Sequence, residues 1–192
     1  MLTIQQLAGA AERLRAAGKP RLDDEDALAL LERARDRLAT HPFVADPLDA
    51  FRARDGDKER ILAAPSTCDR LIEEALRPLL ERSLEPRLET SVHSWRPGRS
   101  TWTAALALRD ALARGETYLL ACDIASYFDS IDHGHLRRCV DGLLPAATEI
   151  LMALAGAPLR IDGALVPRDG GLPLGRPLSP LLANAYLVPL DQ

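Results

Sequence analysis

The sequence contains few of the residues on which small secreted proteins and zinc proteins depend. It has three cysteines, widely spaced and without a Cys-x-x-Cys pair, so neither a disulfide framework nor a zinc site is expected. No apolar run approaches the ~18 residues of a membrane-spanning helix, and the amino terminus lacks the basic start and apolar block of a secretory signal. We therefore expect a cytoplasmic protein with no membrane contact and with reduced, mostly buried thiols.

The sequence also lacks an excess of positive charge. Its formal net charge is -4, from 24 Lys and Arg against 28 Asp and Glu. Because phosphate binding relies on Lys and Arg, contact with nucleic acid would require local basic patches or a basic region outside this chain. With 47% hydrophobic and 27% charged residues among 192, the composition is typical of one large globular domain or two small lobes sharing a core.

Apolar residues recur at helical spacing over residues 3–17 and 23–39, which predicts two amphipathic helices separated by Gly18-Lys19-Pro20. Residues 41–57 are rich in Pro and Asp without a period, so we predict a surface loop anchored by Phe43 and Phe51. The later patterns predict a short strand near 59–63 and helices over 67–84, 101–114, 132–143 and 146–155. The predicted N-caps of the first three helices are Thr67, Ser100 and Asp132.

Two further stretches predict strands. The apolar run Thr117 to Ile124 follows a helix and predicts a buried strand. Residues 159–166 hold Asp162-Gly163 between apolar residues, which is the strongest short-range signal for a β-hairpin. One continuous α/β unit is the fold class that we expect.

The stretch from Leu119 to His133 carries the first chemical motif. Asp123 comes at the exit of the predicted strand, where a fixed backbone would deliver its carboxylate to a hard cation such as Mg²⁺. An isolated aspartate at this position more often caps a turn, but the surrounding Asp-Ile-x-x-Tyr-Phe-Asp-Ser-Ile-Asp-His favours a metal ligand. Asp129 and Asp132 are explained as a turn residue and a helix cap, and His133 and His135, two apart, make a poor metal pair.

A second block runs from Gly171 to Leu187. Gly171, Pro173 and Gly175 would let backbone approach a ligand such as a nucleotide base pair, because glycine lacks a side chain that would block it. Ser179-Pro180 then opens a helix whose N–H groups and positive dipole end favour phosphate.

Basic residues upstream form two further blocks. Lys58 and Arg60 would point to the same side of a strand, unless they are solvated charges on an edge. Arg96 and Arg99 flank the rigid turn of Trp95-Arg96-Pro97-Gly98-Arg99-Ser100. They would contact template phosphates, or Arg96 would form an internal ion pair with a carboxylate.

These four blocks, in this order over roughly residues 55 to 191, resemble bacterial reverse transcriptases of the group II intron and retron type. The resemblance implies an α/β (α+β) polymerase palm with fingers in a right-hand architecture. It also implies an RNA-directed DNA polymerase that uses Mg²⁺, or Mn²⁺, to extend a DNA primer on an RNA template from dNTPs. The implied division is a helical extension over 1–54, fingers and the start of the palm over 55–116, and palm over 117–192.

The resemblance also implies roles for individual residues. Asp123 would be the catalytic metal ligand, and Phe128 would lie under the incoming sugar as a steric gate against a 2′-hydroxyl. The remaining assignments are nucleotide binding by Lys58, Arg60 and Gly175, and nucleic-acid binding by Arg96, Arg99, Pro173 and Ser179.

The sequence departs from the family pattern in two places. Leu174 stands where the family usually has glutamine, and no Tyr-x-Asp-Asp motif with two more metal-binding carboxylates follows. We therefore expect a palm that is incomplete at its C-terminus, completed by a C-terminal segment or a second chain. The alternative is a degenerate or split half that binds nucleic acid without catalysis. An unrelated nuclease using Asp123 would not require the second block.

Overall fold

The computed structural model describes residues 2–18, 24–55 and 58–191. Within these ranges no helix is both long enough and apolar enough to cross a membrane. The mixed helix and strand content confirms the α/β class. The elements, in chain order, are α1 (Ile4–Ala16), α2 (Asp24–Ala39), β1 (Leu48–Asp55), β2 (Lys58–Ala64), α3 (Thr67–Leu84), α4 (Thr101–Ala113), α5 (His133–Leu143), α6 (Thr148–Ala155), β3 (Leu159–Ile161), β4 (Ala164–Val166) and α7 (Ser179–Asp191).

The two N-terminal helices form as predicted and pack against α3. Thr3 opens α1 through a capping box, in which its hydroxyl accepts from the Gln6 N–H while the Gln6 side chain accepts from the Thr3 N–H. Leu7 and Leu14 lie one above the other on the buried face of α1. This amphipathic pattern directs α1 onto the core.

Helix α3 lies at the centre of the core. Its cap is Ser66 rather than the predicted Thr67, because the Ser66 hydroxyl accepts from the Asp69 N–H at 3.1 Å. Leu71, Ile72 and Leu76 are fully buried along its inner face. The opposite face of α3 is therefore left to line a cleft, described below.

The four strands form one sheet in the order β2-β1-β3-β4. Strand β1 pairs antiparallel with β2 and parallel with β3, where Leu48 lies opposite Leu159. The predicted β3–β4 hairpin is confirmed, and Asp162 and Gly163 both have positive φ, at 49° and 83°. Two positive φ values are the requirement of the type I′ turn that Asp-Gly favours.

The prediction of a loop over residues 41–57 was wrong for its second half, which is β1. Phe43 is buried as expected, but Phe51 is 54% exposed and anchors nothing. The strand is held by pairing with β2 and β3, and a local pattern does not reveal that partnership. β1 also crosses the proposed boundary at residue 54 and joins the N-terminal part to the sheet.

The predicted buried strand Thr117 to Ile124 was also wrong. The segment pairs with no strand among the described residues, and Tyr118 and Leu120 are 99% and 88% exposed. Extended backbone becomes a strand only when a neighbour satisfies its N–H and C=O groups. Helix α4, which precedes it, has no buried residue either. Cys122 is consequently exposed, unlike the buried thiol that the sequence predicted.

Candidate functional site

The turn that follows Asp123 is fastened to the loop at Gly171. The Leu172 N–H donates to the Phe128 carbonyl at 2.7 Å, and the Gly171 N–H donates to the Ile131 carbonyl at 2.8 Å. His133 Nε2 donates to the Gly171 carbonyl at 2.8 Å. The two motifs, whose bonded residues are 38 or more positions apart in the chain, therefore form one floor.

The two glycines of this loop approach the backbone of the protein itself. Gly171 has φ +71°, and a Cβ there would lie 3.0 Å from the Asp129 carbonyl and 3.1 Å from that of Phe128. Gly175 has φ +94°, and its Cβ would lie 3.2 Å from the Ala63 carbonyl. The positive φ favours glycine at both positions, and the close backbone leaves little space for a side chain. We predicted that a base pair would lie close to these glycines. At both positions the close neighbour is the backbone of the chain itself.

The loop is also hydrogen-bonded to strand β2. The Leu174 carbonyl accepts from the Ala63 N–H at 2.8 Å, a bond that does not depend on which side chain occupies position 174. The Ser179 hydroxyl donates to the Pro173 carbonyl at 2.7 Å, and both residues are buried. Ser179 and Pro173 thus hold the loop in shape.

A buried ion pair fixes the next turn. The Arg176 guanidinium donates to the Glu73 carboxylate on α3 and to the Leu154 carbonyl at the end of α6. The two side chains are 3% and 0% exposed. Burial raises the pKa of the Glu73 carboxyl, and the charge of Arg176 opposes that rise.

An open cleft of about 980 Å³ lies above this floor. Its walls are the outer face of α3, the turn at residues 95–99, the turn at Phe128 and the loop from Leu174 to Leu181. Five of the nine predicted site residues line it, and they come from three separate blocks of the sequence. These five are Arg96, Arg99, Phe128, Gly175 and Ser179.

The lining of the cleft is basic, although the chain as a whole is acidic. Five arginines and two glutamates line it, and two of the arginines, Arg96 and Arg176, are paired with Glu85 and Glu73, so the local excess is one positive charge. A chain of negative net charge can contact nucleic acid through a local basic patch or through a basic region elsewhere, and this cleft is a patch of the first kind. Sequence reasoning missed Arg70 and Arg77, which lie with Glu74 and Glu81 in one stripe along α3. Their spacing of 4, 3 and 4 residues is the signal that would have revealed a single helix face.

Arg96 has a carboxylate partner within the chain. Arg96 Nε lies 2.9 and 3.0 Å from the two carboxylate oxygens of Glu85, and Nη1 donates to the Glu89 carbonyl at 2.6 Å. Its side chain is 9% exposed. Arg96 therefore makes an internal ion pair that holds the turn, and its partner Glu85 lies directly after α3. Arg99, half-buried beside it, has no hydrogen bond or ion pair from its side chain to the described residues.

The other predicted residues lie apart from the cleft lining. Asp123 is exposed on the segment without strand partners, and Arg60 is exposed on β2. The side chain of Lys58 is outside the described residues, although its backbone belongs to β2. Among the residues described, no three His, Cys, Asp or Glu side chains come together as a metal site. The donor set at Asp123 therefore fits one ligand of a two-metal centre and not the whole centre.

The polar residues next to Asp123 have structural roles, as predicted. Asp132 Oδ1 accepts from the His135 N–H at 2.6 Å and caps α5. His133 points to Gly171, whereas the ring of His135 packs on Tyr186 at 4.7 Å, so the two histidines do not share a ligand. Tyr127 is half-buried, and its hydroxyl donates to the Ala183 carbonyl at 2.6 Å.

Comparison with known families gives a match over most of the chain. Residues 53–192 match the family described as "Reverse transcriptase (RNA-dependent DNA polymerase)". The group II intron-encoded protein LtrA of Lactococcus lactis subsp. cremoris is 33% identical over 141 residues, 72% of this chain and 23% of that protein. Protein YkfC of Escherichia coli (strain K12) is 30% identical over 173 residues, 84% of this chain and 44% of that protein.

Comparison with solved structures supports the same fold. A chain of the "Partial Cas6-RT-Cas1--Cas2 complex" superposes with a TM-score of 0.64 at 25% identity, over 97% of this chain and 33% of that chain. The chain thus spans less than half the length of each of these relatives.

Proposed function

The chain belongs to the reverse transcriptase family of nucleotidyltransferases and is of the group II intron type. We propose that it forms the fingers and part of the palm of an RNA-directed DNA polymerase. The substrates that we propose are an RNA template, a DNA primer and dNTPs. The observation that supports this most strongly is the cleft, because one basic space is lined by residues from the arginine turn, the Phe128 turn and the Gly175 loop.

We assign the residues of the cleft to the parts of this substrate. Phe128 has a half-buried ring at the floor of the cleft, where it would contact the sugar of an incoming nucleotide. Gly175 is exposed beside it and would leave room for the base. Lys58 and Arg60 would bind the triphosphate from the adjacent strand. Arg99 would contact a template phosphate, whereas Arg96, Pro173 and Ser179 would act by holding the surfaces on which the nucleic acid lies.

Reverse transcriptases use divalent metal ions, and we propose Mg²⁺, with Mn²⁺ as a substitute. The ion would neutralise the charge that develops on the triphosphate. Asp123 would be one ligand. Because two ions need several carboxylates, the others would come from a further segment of the protein or from a second chain. We place the protein in the cytoplasm and keep the proposed division into N-terminal helices, fingers and palm, with β1 as the strand that joins the first two.

The test is primer extension on an RNA template with a DNA primer, Mg²⁺ or Mn²⁺ and all four dNTPs. The 192-residue chain alone should not extend the primer, because its described part offers one metal carboxylate. The chain joined to the Tyr-x-Asp-Asp segment of a relative should extend it. In that active protein Asp123→Asn should abolish synthesis, since it removes a charged ligand while keeping the shape of the side chain.

Asp129→Asn is the matched control, because Asp129 is an exposed turn carboxylate six residues along the same loop. Synthesis should survive this change. Equal activity of the Asp123→Asn variant and the unsubstituted protein would contradict the assignment of Asp123.

A second candidate is a nucleic-acid-binding module without chemistry. The exposed position of Asp123, away from any group of three metal-capable side chains in the described ranges, favours it. A gel-shift assay separates the two functions. The binding module would hold RNA with equal affinity with and without Asp123→Asn, and no added segment would produce synthesis.

A further inference from the structure

We infer that Trp95 is a stacking platform for an unpaired base of a single-stranded nucleic acid that enters the arginine-lined cleft. This inference rests on the proposed function, because it takes the cleft as the nucleic-acid site. It adds a residue that neither the motif roles nor the geometry of the floor assigned. Trp95 lines the cleft next to Arg96 and Arg99 and is 68% exposed.

The backbone of Trp95 is in a conformation that large residues avoid. Its φ is +53°, in the left-handed region that is normally occupied by Gly, Asn or Asp. Burial of the indole does not offset this strain, because most of the side chain is exposed. None of the aromatic contacts among the described residues involves the Trp95 ring. A strained backbone that presents a large free ring is typical of a functional position.

The surrounding turn is held firmly enough to keep Trp95 in place. On one side Asn184 Nδ2 of α7 donates to the Ser94 carbonyl at 2.9 Å. On the other side the Arg96 guanidinium is fixed by Glu85. The Arg99 N–H closes the turn onto the Arg96 carbonyl at 3.0 Å. The indole is therefore presented on a rigid support, which lowers the entropic cost of binding a base.

The groups around Trp95 suit a phosphate backbone. Arg99 has no side-chain partner among the described residues. Arg70 lines the same cleft. An exposed ring combined with free guanidinium groups is how proteins bind single strands, by stacking on bases and neutralising phosphates.

The test uses tryptophan fluorescence, since the chain has two tryptophans, Trp95 and Trp102. Trp102→Phe leaves Trp95 as the sole reporter, and Trp95→Phe leaves Trp102. Each variant is titrated with oligouridylate, with oligothymidylate and with an abasic strand, all of about 15 nucleotides. We expect saturable quenching of Trp95 by one or both base-containing strands and not by the abasic strand. The comparison of the two base-containing strands tells whether RNA or DNA occupies the platform.

Affinity and stability together distinguish binding from a structural role. Trp95→Ala should weaken binding of the base-containing strand about 5- to 150-fold and leave the abasic strand unchanged. Trp95→Phe should retain most of the affinity. Trp95→Gly should lose affinity yet melt at the same temperature or higher, because glycine accepts the positive φ without strain. Trp102→Ala, an equally exposed indole outside the cleft lining, is the control and should bind as the parent does.

The outcomes distinguish a failure of this inference from a failure of the proposed function. If the parent binds strands and the Trp95 variants bind them equally well, the inference is overturned and the proposed function stands. Equal affinity of the parent for abasic and base-containing strands also overturns it. If the parent binds no strand at all, both the inference and the nucleic-acid function are overturned.

Discussion

At the scale of single residues, the buried pair Glu73 and Arg176 offers the sharpest test of what holds the floor. Arg176→Met should destabilise the chain by about 3 to 5 kcal/mol, because it leaves the Glu73 carboxylate buried without its counter-charge. The pair joins α3 to the loop that lines the cleft. Urea unfolding followed by circular dichroism would measure the loss.

The same variant should show a characteristic pH dependence. The pKa of Glu73 is raised by burial and would rise further without Arg176. A carboxyl with a raised folded-state pKa contributes stability that is present below its unfolded pKa and lost as the pH rises through the folded value. The penalty of Arg176→Met should therefore be smaller at about pH 5 than at about pH 8. A penalty independent of pH would contradict a buried charged Glu73.

The double variant Glu73→Leu with Arg176→Met is the control for this prediction. It removes both charges together, so it should recover more than half of the lost stability. Full recovery is not expected, because the Leu154 carbonyl loses its donor in both variants, at a cost of about 1 to 3 kcal/mol.

At the scale of elements, the contact between the Phe128 turn and the Gly171 loop is testable with three glycines. Gly171→Ala should cost more than about 2 kcal/mol, since it combines a positive φ with a Cβ 3.0 Å from the Asp129 carbonyl. Gly163→Ala has a positive φ but open space, so it should cost about 1 to 2 kcal/mol. Gly142→Ala, in α5 with open space and no positive φ, should stabilise by about 0.5 to 1 kcal/mol.

The difference between the first two variants isolates the backbone contact, and the third shows that alanine itself is not harmful. Unfolding in urea ranks the three. Equal costs at positions 163 and 171 would mean that the floor relaxes around the added methyl group.

Elements with local signals could be predicted from the sequence, and elements that depend on partners could not. Ser100 and Asp132 cap their helices, and Asp162-Gly163 makes its turn, because each acts on residues three or fewer positions away. The strand β1 was missed and the strand at 117–124 was wrongly predicted, because strand formation depends on pairing with distant residues.

The same distinction holds for the candidate site. The sequence predicted that the blocks carrying Phe128 and Gly175 lie on one floor, and both residues line one cleft. They did not distinguish Arg96, which pairs with Glu85, from Arg99, which is open to the cleft. That choice depends on a carboxylate eleven residues away whose position only the folded turn defines.

At the scale of the whole molecule, the chain exposes more surface than its size requires. Its accessible surface is 12028 Å² at 20.9 kDa. Compact monomers of this mass expose about 9,000 Å², so the excess is about 3,000 Å². Several of the exposed large apolar side chains belong to α4 and the segment after it, where Trp102 and Leu120 are 70% and 88% exposed. An extended, unpaired apolar segment is a template for pairing with another chain.

The 192-residue chain should therefore self-associate through residues 117–124, which sedimentation velocity across a range of concentrations would detect. Replacing Leu120 by Lys should reduce the association, because a charge on an extended edge opposes pairing. It should leave the midpoint of urea unfolding unchanged, since the side chain is 88% exposed. Leu165→Lys is the matched control, as Leu165 is an exposed apolar residue of the β3–β4 hairpin, and the association should persist in that variant. A chain that sediments as a monomer at every concentration would contradict the prediction, because the exposed segment would then be shielded without a partner.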